Sequence, residues 1–235
     1  MTAPDGYGRR AEQPALVVLS SLALKGVLEK FKPAFEQALA TRLELRFDAT
    51  QAILQQLAAA DLQADLLVLT AEAMEELRAR GRLSEVRVVA SSGVGVAVRA
   101  GMPKPDISSV DALKRALLSA SSVAHSKIGA SGIYFAELLE RLGIAGSLKK
   151  RVIIEKGPVG LAVAAGEAEI GVQQLCELAP VAGIDIVGPL PEPVQRMTHF
   201  SAGIPANAAD PERALKLMAL LRSEAARDAF LSPAS

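Results

Sequence analysis

Short apolar runs alternate with amphipathic stretches along most of this chain, and that alternation leaves few folds open. Leu16-Val17-Val18-Leu19 reads as a buried strand. From Leu22 to Ala40, the charges Lys25, Glu29, Lys32 and Glu36 recur at i, i+4, i+7 and i+11. Leu24, Val27, Leu28, Phe31 and Phe35 fall on the other side, so the stretch reads as an amphipathic helix. Leu43-Glu44-Leu45-Arg46-Phe47 follows as a strand, then a helix over 51–60, the strand Leu66-Leu67-Val68-Leu69 and a helix over 71–79 ending before Gly81. Strands that alternate with helices in this way build a parallel sheet covered by helices.

The alternation breaks at Val86-Arg87-Val88-Val89-Ala90 and Val94-Gly95-Val96-Ala97-Val98, two strand-like runs joined by Ser91-Ser92-Gly93 without a helix. Gly93-Val94-Gly95 is no dinucleotide fingerprint, because the third glycine and the following helix are missing. Beyond Gly101-Met102-Pro103-Lys104-Pro105 a second alternating block begins, with helices over 110–120, 133–142 and 158–165 and strands at 122–124, 152–154, 170–172 and 184–187. A strand-like return over 198–204 and an amphipathic helix over 211–222 close the chain. Two βα blocks with a returning tail predict an α/β protein of two lobes joined by a hinge. Residues 1–95 with 199–235 form the first lobe and 96–198 the second. Ligands of such folds sit between the lobes, beyond the carboxyl ends of the strands.

Composition narrows the function. Lys and Arg total 26 and Asp and Glu total 26. This balance lacks the basic surplus that nucleic-acid binding requires, so no nucleic-acid partner is expected. A single cysteine, Cys176, and two histidines, His125 and His199, supply neither an internal disulfide nor a thiolate or imidazole metal cage, so no metal and no cofactor are expected. Aromatic residues make up 3% of the chain, which points away from a site that stacks its ligand and toward polar capture of a small one. No run reaches the roughly 18–20 apolar residues of a membrane span. No apolar stretch of signal length precedes Leu16, which reads as a cytoplasmic chain, or as a periplasmic one trimmed of its leader.

Four junctions bring small hydroxyl or amide residues to a strand end or a helix start: Ser20-Ser21, Asp48-Ala49-Thr50, Gly129-Ala130-Ser131-Gly132 and Gly157-Pro158-Val159. Helix N-termini expose unpaired N–H groups and partial positive charge, which suit an anion. A Ser or Thr at such a junction is most often only an N-cap, and it is the recurrence that makes these four a candidate site. Among titratable residues, His125 follows a strand and precedes Ser126-Lys127. Glu155 ends another strand beside Lys156, and His199 lies in the returning strand. Each of the three also has an ordinary reading as a surface or capping side chain.

The run LVVLSS followed by ALKGVLEKFKPAFEQ resembles the opening of type II periplasmic solute-binding proteins, above all the molybdate-binding group. ADLLVLTAEAMEELRARGRL and GPVGLAVAAGEAEIGVQQ resemble two further segments of that family, and the likeness spans about residues 15–232. The resemblance implies the type II two-lobe fold with an interlobe cleft, and a ligand held by Ser20, Ser21, Thr50, Ser131, Val159 and Gln174. Molybdate binders commonly carry Tyr where this chain has Gln174, so Gln173-Gln174 departs from their pattern. GASGIYFAELLERLG, GEAEIGVQQ and VGPLPEPVQRMTHFSAGI resemble a molybdate-binder-like subgroup that includes aconitate isomerase, which moves a double bond in a tricarboxylate without a cofactor. Two functions follow as expectations. The first is capture of a small oxyanion or carboxylate, with the membrane component of an ABC transporter as partner if the chain is exported. The second is a cofactor-free isomerase of an unsaturated polycarboxylate working by a 1,3-proton shift, in which His125 or Glu155 serves as base. A stand-alone effector-sensing domain is a third reading.

Overall fold

The computed structural model describes residues 14–59, 63–155 and 157–226. The first block folds as read: β1 (Leu16–Ser21), a 3-10 turn (Leu22–Leu24), α1 (Lys25–Leu39), β2 (Leu43–Asp48), α2 (Thr50–Ala59), β3 (Leu66–Thr70) and α3 (Ala71–Ala79). The helix expected from Leu22 begins at Lys25 because Ser21 caps the 3-10 turn first, its Oγ accepting the Ala23 N–H. β1 pairs in parallel with both β2 and β3.

The two runs expected around 86–98 are one strand, β4 (Leu83–Arg99). Ser91, Ser92 and Gly93 do not turn, because each stays paired with a residue of β9 (Met197–Pro205): His199, Thr198 and Met197 in order. β4 then passes into the second block: α4 (Val110–Ser119), β5 (Val123–Ser126), α5 (Ala130–Arg141), β6 (Arg151–Ile154), α6 (Val159–Ala164), β7 (Ile170–Gln174), α7 (Leu175–Leu178) and β8 (Ile184–Pro189). Helix α8 (Pro211–Leu221) follows β9. Pro158 is the N-cap of α6, and Val159 is its first helical residue.

Strand order is β2-β1-β3-β9-β4-β7-β5-β6, with β8 also on β4. The first half of β4 pairs with β9, and its second half with β7 and β8. One strand therefore belongs to two ladders, and each ladder carries its own core. On the first lobe Leu16, Val18, Leu66, Phe200 and Ala202 face α1 and α8, while Leu19, Ile53, Leu67, Leu69 and Met74 fill the opposite face. On the second lobe Val96, Leu113, Val123, Phe135 and Val172 form the larger core and Ala124, Val159 and Val163 the smaller.

Asp65 ties the first lobe together. One carboxylate oxygen accepts the Val17 N–H at 2.8 Å, and the other accepts those of Ala209 and Asp210 at 3.1 and 3.2 Å. The start of the sheet is thereby joined to the approach to α8. Asp65→Ala strips these amides of a charged acceptor. It should lower the unfolding free energy by about 2–4 kcal/mol, less than three charge-assisted bonds of roughly 1.5–3 kcal/mol would sum to, because the amides are part-buried and water takes up the lost acceptor's place. Urea denaturation checks it.

Candidate functional site

Parallel pairing lines up the carboxyl ends of the strands, and the candidate residues follow from that alignment. Ser21 pairs with Asp48, so Ser20, Ser21 and Thr50 share one edge of the first lobe. Ser126 pairs with Ile154, and β5 lies beside β7, so α5, α6 and Gln174 leave the corresponding edge of the second lobe. The edges meet through α7. The Cys176 thiol donates to the Ala23 carbonyl at 3.4 Å, inside the turn that follows Ser21, and Pro180 stands against Gly26 on α1.

Each candidate has a definite setting. Ser20 is fully buried, and its hydroxyl donates to the Ser21 carbonyl at 3.3 Å. Thr50 opens α2, and Asp48 accepts the Ala49 N–H at 2.8 Å just before it. Ser131 stands in the first turn of α5, and its hydroxyl is buried with no hydrogen-bond partner among the described residues. A buried unpaired hydroxyl costs about 1–3 kcal/mol, which singles out Ser131 as the candidate donor of this rim. The Val159 N–H, in contrast, is already taken: it donates to Gln173 Oε1 at 2.8 Å. Gln174 turns toward the hinge, where its Nε2 donates to Thr198 Oγ1 at 2.9 Å.

The titratable candidates separate clearly. His125 is buried against Phe135, with both ring nitrogens engaged inside the lobe. A carbonyl only accepts, so Nδ1 carries the hydrogen and donates to Ser126 O at 3.0 Å. The Arg151 guanidinium donates to the Nε2 lone pair at 3.0 Å. Burial first, and then the Arg151 charge, lower its pKa, so the ring is held neutral. Glu155 forms an exposed 2.8 Å pair with Lys127; Lys156 lies outside the described residues. His199 Nδ1 meets the Ser91 hydroxyl at 2.7 Å on the hinge strands. Cys176 is sealed, its thiol pushed up to about 12 by burial.

Two neighbours of this edge had no role assigned from the sequence, Gln173, which stood out there only as a departure from the molybdate binders' pattern, and Glu177. Gln173 Nε2 donates to Glu177 Oε1 at 2.8 Å, and burial raises the Glu177 carboxyl to about 7. The signal was present in QQLCEL, where an amide and an acid stand four residues apart in an apolar run. No cluster of three or more His, Cys, Asp or Glu able to hold a metal occurs among the described residues. A depression of about 430 Å³ between α3 and β4 is lined by none of the junction residues, and its charges pair with one another, Glu75 with Arg78 and Glu85 with Arg87.

The profile of the bacterial extracellular solute-binding proteins matches residues 16–232. The chain belongs to that family. Among solved structures it resembles the periplasmic molybdate-binding protein of Azotobacter vinelandii, with a TM-score of 0.72 and 19% identity over 92% of this chain and 96% of that one. The substrate-binding domain of a putative molybdenum ABC transporter from Clostridium difficile superposes with a TM-score of 0.69 and 18% identity, over 92% and 95% of the two chains. The fold is thus the type II two-lobe fold of periplasmic binding proteins. In sequence, the chain is 40% identical over 231 residues to a Pseudomonas protein named aconitate isomerase, covering 94% of this chain and 87% of that one. No described helix is long and apolar enough to cross a membrane.

Gly132 seats α5 on the end of β5: a Cβ there would lie 1.9 Å from the Ser126 carbonyl oxygen. Gly132→Ala should cost roughly 1–3 kcal/mol or more, measured by chemical denaturation. A second outcome concerns pH. The folded-state pKa of Glu177 lies above the ordinary 4.5, so the folded chain holds this proton more tightly than the unfolded one. That contribution to stability is complete below about pH 4.5 and is lost as pH rises through about 7. Glu177→Gln, neutral throughout, should flatten the fall in unfolding free energy between about pH 4.5 and 7.

Proposed function

We propose that the chain is a cofactor-free isomerase of an unsaturated tricarboxylate of the aconitate type, built on a solute-binding scaffold. The observation that carries this reading is 40% identity along nearly the whole chain to a protein named aconitate isomerase, against 18–19% for the molybdenum-transport structures. The strand-end edges support it chemically. A tricarboxylate needs donors for three carboxylates and for the charge that develops on proton removal. The buried Ser131 hydroxyl and the starts of α2 and α5 offer such donors without a metal. Gln174, in the place of the molybdate binders' usual tyrosine, sets this edge apart from a molybdate site.

A second reading, capture without turnover for an ABC transporter, is favoured by the structural neighbours, which are named as binding proteins or transporter components. One experiment separates the two. Incubation with trans-aconitate in D2O, followed by proton NMR, should show interconversion with cis-aconitate and entry of deuterium at the allylic carbon, with EDTA without effect. Stabilisation by aconitate in a thermal-shift assay, with no exchange over hours, would leave capture as the function.

A further inference from the structure

A peptide N–H only donates, and this fixes the orientation of everything joined to Val159. Its acceptor must be an oxygen, so the Gln173 carboxamide presents Oε1 to Val159 and Nε2 to Glu177. Glu177 Oε1 is therefore always the accepting oxygen, whatever the protonation of the carboxyl group. The other oxygen, Oε2, makes no hydrogen bond among the described residues. Glu177 itself is half-buried, so its side chain keeps some exposure on the helix that stands at the junction between the lobes.

The helix carrying Glu177 stands where the two edges meet. It packs against the 3-10 turn after Ser21 on one lobe and against α6, which begins at Val159, on the other. The charged surroundings are sparse. The 3-10 turn and α6 carry no ionisable side chain, β7 contributes only Gln173 and Gln174, and β4 meets α7 at the uncharged Ser92 and Gly95. On α1 the cation nearest in sequence to the turn, Lys25, pairs with Glu29. The Cys176 thiol is the titratable neighbour that feels the carboxylate. The other candidate bases are committed elsewhere: His125 to Ser126 and Arg151, Glu155 to Lys127.

We propose that Glu177 is the base that carries the proton between the two allylic carbons of the substrate, with Gln173 acting as a positioning residue that holds its carboxylate. The assignment rests on the isomerase reading above. Glu177 Oε2 takes a proton from the methylene carbon. The C–H electron pair delocalises through the allylic system into the adjoining carboxylate, and the neutral carboxylic acid returns the proton to the far carbon as the double bond shifts. Atoms and electrons balance with no further reactant. A carboxyl whose proton affinity lies near the working pH can perform both halves of this exchange, and burial places Glu177 there.

The test uses the intact chain, trans-aconitate as probe, and the variants Glu177→Gln and Glu177→Asp. Glu177→Gln should lower kcat by about 100- to 10,000-fold, while KM and the thermal shift produced by trans-aconitate change less than about threefold. Glu177→Asp should recover part of kcat and displace the acid limb of the pH profile, because the shorter side chain gives up the Gln173 bond. Wild-type kcat in Glu177→Gln overturns the assignment while the isomerase reading stands. If Glu177→Gln does not fold, an unchanged pH profile in Glu177→Asp overturns it equally. A wild-type chain that binds trans-aconitate without isomerising it removes the reading and this assignment together.

Discussion

The pairing of β4 with β9 is the constraint on which the rest of the molecule depends. Because β4 serves both ladders, the lobes are continuations of one strand. The junction is secured by side chains that imitate backbone: Gln195 Oε1 accepts the Val94 N–H and its Nε2 donates to the Val94 carbonyl, at 2.9 and 3.0 Å. The passage from β7 into α7 is stapled to both strands, since Ser92 Oγ on β4 accepts the Cys176 N–H and Gln174 donates to Thr198 on β9. Amides that a bend would otherwise leave unpaired are satisfied, as buried backbone requires.

From that constraint follows the chemistry of the edges. Strands running parallel finish together, and the helices after them start together, so each lobe gathers unpaired N–H groups along one rim. The rims are then differentiated by what each side chain does with its neighbours. Ser21 uses its hydroxyl for capping and Val159 its amide for Gln173, while the Ser131 hydroxyl has no partner among the described residues. The neutral His125 braces the second rim from within, fixing Arg151 on the neighbouring strand rather than reaching outward.

Much of the fold could be read from periodicity. β3 and α3 were legible nearly to the residue, because their apolar spacing is regular and Gly81 ends the helix. The joining of the two runs around Ser91-Ser92-Gly93 into β4 was not, since small polar residues look like a turn until a partner strand is supplied from more than a hundred positions away. The candidate site divides the same way. Hydroxyls at strand ends are visible locally, so Ser21, Thr50 and Ser131 could be named. The role of Gln173 depends on β7 lying beside α6, and that of Glu177 on α7 packing against the first lobe. Both are tertiary facts with only a faint echo in the spacing of QQLCEL.

The sealing of Cys176 has a practical consequence. With its sulfur in the first lobe's core and its thiol pushed up to about 12, almost no thiolate exists near neutral pH, and thiolate is the form that reacts with alkylating reagents. For labelling purposes the folded protein behaves as a cysteine-free chain. A cysteine introduced on the surface of each lobe can therefore carry a donor–acceptor pair without removal of any native residue. The distance between lobes could then be followed by fluorescence as candidate ligands are added.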